Sequence, residues 1–170
     1  MAVTLTVEDG TGLAAANTYC TLASADTYID ERVYRPTWEH KDDEEKERAL
    51  MQATRLLDEH CRWKGTRTNT GQGLRWPRAG VNSADYDTVL SSSAIPAWLA
   101  RATAFMAYHL LEKNRPAEVE NQRVTGSSTG RGSQSKGLPD QKNMAVIPPE
   151  VQSIIAPFVT GRGTFLIERV

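Results

Sequence analysis

The side chains best suited to hold a metal are His40, His60, His109, Cys20 and Cys61. Their spacing gives no zinc-type pattern, because the two cysteines lie about 40 positions apart with no paired partner near either. His60 and Cys61 are neighbours on a helical stretch, where successive side chains diverge by about 100°, so they cannot chelate one ion together. No metal and no cofactor is expected. No serine sits in a strand–turn–helix nucleophile elbow. Gly10-Thr11-Gly12 lacks the trailing glycine of a dinucleotide loop, and Gly71-Gln72-Gly73 lacks the lysine of a phosphate-cradling loop; both read as turns. The acidic run Asp42 to Glu47 reads as a solvated helix start, since nothing apolar surrounds it to raise a carboxyl pKa. With no catalytic residues assembled, a non-enzymatic protein is expected.

Cations interleaved with indoles are a different chemistry. Arg62-Trp63-Lys64-Gly65-Thr66-Arg67 and Arg75-Trp76-Pro77-Arg78 offer the mixture that stacks bases and neutralises phosphates. The same residues also suit a structural role, with Trp63 and Trp76 as wedges pinning an irregular loop to the helices and arginines at its rim. The second role is the favoured one. The chain carries 20 basic and 21 acidic residues, a formal net charge of -1, which denies it the broad positive field of an autonomous duplex-DNA binder.

Those segments hang from helices. Asp42 with Glu45 forms a capping-box pattern, and the acids that follow match the helix's positive end. From Asp43 to about Trp63, Ala49, Leu50, Ala53, Leu56, Leu57, His60 and Cys61 recur at helical steps. A second long helix runs from Pro96 to about Glu112, with Ile95, Trp98, Leu99, Ala102, Phe105, Met106, His109 and Leu110 on its apolar face. A shorter one spans Pro149 to about Val159, limited by Pro157, and a first one starts at Thr21 or Ser24. That first helix places Ala25, Tyr28, Ile29 and Val33 together and is closed by Pro36. Val3, Leu5 and Val7 alternate with threonines as in a short extended segment. The fold expected is mostly α: a bundle of three or four helices, an N-terminal extended segment, two long loops and an extended C-terminal tail.

The 170 residues suit one domain, and 39% hydrophobic residues suffice for one core. The longest apolar run is far short of the roughly 20 residues a spanning helix needs, and no secretory leader is visible. Two cysteines fit a reducing cytosol. Arg115 to Asn143 is polar and rich in Gly, Ser, Thr, Gln and Lys, and reads as a long flexible loop. Residues 1–160 are thus expected as the helical domain, and 161–170 as a tail.

Several blocks resemble phage and prophage proteins labelled DnaT-like. They are Val7-Glu8-Asp9-Gly10-Thr11-Gly12, Asn17-Thr18-Tyr19, Ala25-Asp26-Thr27-Tyr28, Ala53-Thr54-Arg55-Leu56-Leu57-Asp58 and Arg62-Trp63-Lys64-Gly65. The sharpest is Leu74-Arg75-Trp76-Pro77-Arg78-Ala79-Gly80-Val81, followed by Ile95-Pro96. The label implies single-stranded DNA binding in phage replication or packaging. The same pattern is similar to head–tail connector adaptors of tailed phages, which implies a structural protein of the virion neck, assembled in the host cytoplasm. Such a protein forms a dodecameric ring with itself under the portal and offers a surface to tail or nozzle proteins. Genomic DNA passes through its lumen without sequence-specific binding, and no membrane is involved.

The adaptor is the expected function, and single-stranded DNA binding its alternative. Under the adaptor reading, Arg48, Arg55, Trp63, Trp76, Arg78 and Arg101 are expected at subunit interfaces, although intrahelical pairs account equally well for the helical arginines Arg48, Arg55 and Arg101. Arg123, Arg131 and Lys136 are expected on a loop facing the DNA channel. Phe165, Leu166, Ile167 and Val170 are expected to dock on the portal, because an uncovered apolar tail would be prone to aggregate.

Overall fold

A computed structural model describes residues 4–85, 87–113 and 146–160. The chain is mostly helical, as the periodicity predicts. Its helices are α1 (Leu22–Asp30), α2 (Pro36–Glu39), α3 (Asp43–His60), α4 (Ala97–Glu112) and α5 (Pro149–Ile155), the last continued by a 3₁₀ turn, Ala156–Phe158. Two short strands, β1 (Thr66–Arg67) and β2 (Arg78–Ala79), pair antiparallel with Thr66 opposite Ala79.

The helix starts follow the sequence closely. Thr21 caps α1 by accepting from the Ser24 N–H, and Asp42 and Glu45 form a reciprocal capping box on α3. Pro96 is the residue before α4, and Pro157 sits inside the 3₁₀ turn that ends the α5 segment. Two boundaries differ from expectation, the first being that α3 ends at His60 with Cys61 as its C-cap, short of Trp63. The second is that α1 stops at Asp30, and Pro36 opens α2 instead of closing α1. Proline at a first helical turn loses no hydrogen bond, so it starts a helix as readily as it ends one. Val33 therefore leaves the apolar face of α1 and is fully exposed, next to exposed Tyr34.

Helix α4 is the axis of the core, with α1, α2, α3 and α5 all packed against it. Leu99, Ala102, Thr103, Ala104, Met106, Ala107 and Tyr108 are all buried, so most of its circumference is covered and not just one stripe. Against it α3 presents Ala49, Leu50, Ala53, Leu56 and Leu57. The N-terminal extended segment meets the stretch before α1 through a parallel bridge between Val7 and Thr18. Between them the Glu8 carboxylate is buried and accepts from the N–H groups of Gly10 (3.0 Å), Gly12 (2.8 Å) and Leu13 (2.9 Å). The Gly10-Thr11-Gly12 turn thus wraps a carboxylate of its own chain. Among the described residues, no helix is long and apolar enough to cross a membrane.

The segment 115–143, with Arg123, Arg131 and Lys136, lies outside the described residues. The tail 161–170, with Phe165, Leu166, Ile167 and Val170, does so too.

Candidate functional site

The loop that follows α3 is fixed by a polar network at the helix's last turn. Asp58 accepts from the Tyr19 hydroxyl at 2.9 Å through both carboxylate oxygens, from Trp63 Nε1 at 3.2 Å and from the Arg75 N–H at 2.9 Å. The Tyr19 oxygen also accepts from the N–H groups of Arg75 (3.0 Å) and Trp76 (3.1 Å). Burial pushes the Asp58 carboxyl above its ordinary range, against the opposing pull of these donors. The Tyr19 phenol is pushed well above its ordinary value, by burial first and by the neighbouring carboxylate second. Buried Gln72 closes the loop from inside, donating through Nε2 to the carbonyls of Leu74 (2.8 Å) and Pro77 (3.2 Å).

Arg78 plays the same part for the other edge. Its guanidinium donates to the carbonyls of Lys64 (2.6 Å), Arg75 (3.1 Å), Trp63 (3.3 Å) and Gly65. Trp63 and Trp76 are buried and meet Trp98 of α4 in one aromatic cluster, with ring centroids 5.4–6.0 Å apart. Phe158 stacks on Trp98 at 3.9 Å. The chain after α5 completes the arrangement, with Val159 bridged to Trp63, the Lys64 N–H on the Phe158 carbonyl and the Thr160 N–H on that of Arg62.

The indoles are therefore wedges, as the structural reading of the loop has it. With Trp76 at 0% exposure and Trp63 at 5%, neither ring can stack on a base or reach a neighbouring subunit; only the backbone and arginines around them can. Of the arginines expected at an interface, Arg78 is bound to carbonyls of its own chain. Arg48 and Arg55 make the intrahelical pairs, with Glu44 and with Glu59 (3.7 Å). Arg101 is exposed on α4.

What the structure adds is a groove. An open cleft of about 770 Å³ runs between α3 and the loop, with Arg48 and Arg55 on the helix side and Arg67 and Arg75 on the loop side. Met51 and Leu74 also line it, as do Asp58 and Glu59. The guanidinium of Arg67 donates to the carbonyls of Gln72 and Leu74, while that of Arg75 makes no hydrogen bond among the described residues. The Arg48 and Arg55 pairs are solvent-exposed, and exposed pairs of this kind are worth about 0–1 kcal/mol, so both cations are available to an incoming anion. The spacing Arg48/Arg55, two helical turns apart, was a legible signal; the approach of Arg67 and Arg75 from the loop was not.

The cysteines and histidines are scattered. Cys20 and Cys61 are buried free thiols, each pushed up to about 12, by burial first and by a nearby carboxylate second. Among the described residues no three His, Cys, Asp or Glu side chains converge as a metal site would require.

A family profile described as "Putative DnaT-like ssDNA binding protein" matches residues 3–170. The chain belongs to this DnaT-like family. The match extends beyond the first two thirds of the chain that carry the resemblance, and it lends no support to the connector part of that resemblance. No curated protein and no solved structure matches the chain.

Proposed function

We propose that this DnaT-like chain is a non-enzymatic, phage-related protein that binds single-stranded DNA by its sugar–phosphate backbone, along the arginine groove. The observation that carries this reading is the convergence of Arg48, Arg55, Arg67 and Arg75 on one open cleft, in a family described by single-stranded DNA binding. Arginine forks suit phosphate oxygens. With the indoles enclosed, base stacking contributes nothing from Trp63 or Trp76, so affinity comes from charge and falls steeply with salt.

Anisotropy titrations with a labelled oligonucleotide test this. If all four arginines meet phosphates, the slope of log K against log salt is about -3 for a single strand. Arg48→Glu/Arg55→Glu should abolish most of the binding with the helical spectrum intact. Undetectable binding at low salt, or equal binding by the double variant, would overturn the reading.

A second reading is the head-to-tail adaptor, in which the chain sits in the virion neck and contacts the portal, tail proteins and its own copies. It draws on a different observation, the exposure of the neighbouring apolar residues Val33 and Tyr34. Large exposed apolar pairs serve protein contacts better than DNA contacts. Mass photometry of the protein alone and with portal protein separates the readings: a ring that joins the portal supports the adaptor, and a chain that never joins it removes that role.

A further inference from the structure

The charge that balances over the whole chain is strongly segregated along it. Residues 26–47 carry nine acidic and four basic side chains, whereas residues 48–78 carry seven basic and two acidic ones. The acidic half includes the turn between α1 and α2, where Val33 is fully exposed and Tyr34 is 76% exposed. Exposed Glu31 precedes them. Arg32 is not available at that turn. It pairs with Glu150 at 2.7 Å and lies over the rings of Phe105 and Tyr108, each 4.9 Å away. Arg35, next after Tyr34, is held by Asp30 and by Glu39 (3.2 Å), so the turn presents two apolar side chains where Asp30, Glu31 and Glu39 outnumber the base. The basic half holds the groove, lined by Met51 and Leu74 and by four arginines against Asp58 and Glu59.

We infer that the Val33–Tyr34 turn of one copy docks into the arginine groove of a second copy. Each surface lacks what the other supplies. An apolar pair in net acidic surroundings meets a cleft where four arginines outnumber Asp58 and Glu59, and this pairing has fewer like-charge contacts than turn-to-turn or groove-to-groove association. The turn and the groove share no residue, so the contact is heterologous: each copy has one of each, and association can continue from copy to copy. Burial of Tyr34 supplies aromatic area of the kind that anchors interfaces. The contact uses the same groove as the DNA reading without resting on it, because the occupant here is protein.

Sedimentation velocity over a concentration series tests it, with variants that alter only exposed side chains. The unaltered chain is expected to gain mass with concentration and lose it with added salt, which screens the charge pairing. Tyr34→Ala, which damages the turn, and Arg55→Glu, which damages the groove, should each weaken self-association by about tenfold or more. Mixing the two variants then decides the geometry. The Arg55→Glu copy retains an intact turn and the Tyr34→Ala copy an intact groove, so the mixture should form pairs and stop at two chains. A chain that stays single at every concentration would overturn the inference. So would variants that associate like the unaltered chain, or a mixture that forms no pairs. Loss of oligonucleotide binding in Arg55→Glu together with unchanged self-association would leave the DNA reading standing and remove this one.

Discussion

The Tyr19 hydroxyl lies 2.9 Å from both carboxylate oxygens of Asp58, joining the stretch before α1 to the last turn of α3. Around that contact the N–H groups of Arg75 and Trp76 are also satisfied, so one phenol and one carboxylate hold the groove's loop wall against its helix wall. The positions of Arg67 and Arg75 relative to Arg48 and Arg55 depend on this joint.

Tyr19→Phe should therefore cost stability and groove geometry together. The substitution leaves the buried Trp76 N–H without its acceptor and takes a donor from a buried carboxylate. Each is a loss of the kind that costs about 1–3 kcal/mol. Urea unfolding should show a total of about 2–4 kcal/mol, and oligonucleotide affinity should fall although no groove arginine has changed. A loss below about 0.5 kcal/mol would mean the loop is held by other contacts.

Arg78→Lys tests the other edge of the loop. A lysine keeps the charge but cannot spread a planar fork over the carbonyls of Trp63, Lys64, Gly65 and Arg75. Partial rescue is expected, with a loss of about 1–3 kcal/mol. Arg78→Ala should lose more in the same unfolding experiment. Equal stability of the lysine variant and the unaltered chain would show that charge alone suffices.

How much of this was legible depends on the range of each interaction. The capping box at Asp42 and Glu45 and the stripe from Ala49 to Leu57 are local, and local chemistry is written in consecutive residues. The Tyr19–Asp58 joint spans 39 positions and has no local signature, since Asp58 falls inside a helical stretch read as running to about Trp63. Val33 fell on the wrong side for a related reason. Its spacing continues the α1 stripe, but the helix ends three residues before it, and periodicity says nothing about where a helix stops. Trp63 and Trp76 carried two meanings in sequence, and only the arrival of Trp98 and Phe158 from distant segments makes them core.

Alkaline pH should weaken the fold through the thiols. Burial, as the first cause, holds Cys20 and Cys61 at about 12, against an ordinary value of 9.0. Folded values raised in this way mean the folded chain keeps protons the unfolded chain gives up. The contribution to stability is thus complete below pH 9.0 and is lost as pH rises towards about 12. Tyr19 acts with the same sign above its ordinary 10.0. Unfolding free energy measured against pH should turn downward near pH 9, and Cys20→Ala/Cys61→Ala should flatten the first part of that descent. An identical descent in the double variant would assign it to other groups.

Two glycines with nearly the same backbone angle should respond differently to alanine. Gly65 (φ +71°) and Gly80 (φ +73°) flank the β1–β2 ribbon, and both take a conformation that costs an L-residue about 1–2 kcal/mol. Their surroundings differ. A Cβ on Gly65 would stand 2.3 Å from the Ala79 carbonyl oxygen and 2.7 Å from a Val81 methyl, whereas one on Gly80 would meet nothing within 4 Å. Gly80→Ala should therefore cost only the backbone term, about 1–2 kcal/mol. Gly65→Ala should cost more, because the ribbon must open to admit the methyl group, and opening it moves the Gly65 carbonyl off Arg78. The loop wall of the groove then shifts, so Gly65→Ala should weaken oligonucleotide binding while Gly80→Ala leaves it unchanged. Equal losses in both variants would show that close packing under Gly65 does not constrain the loop.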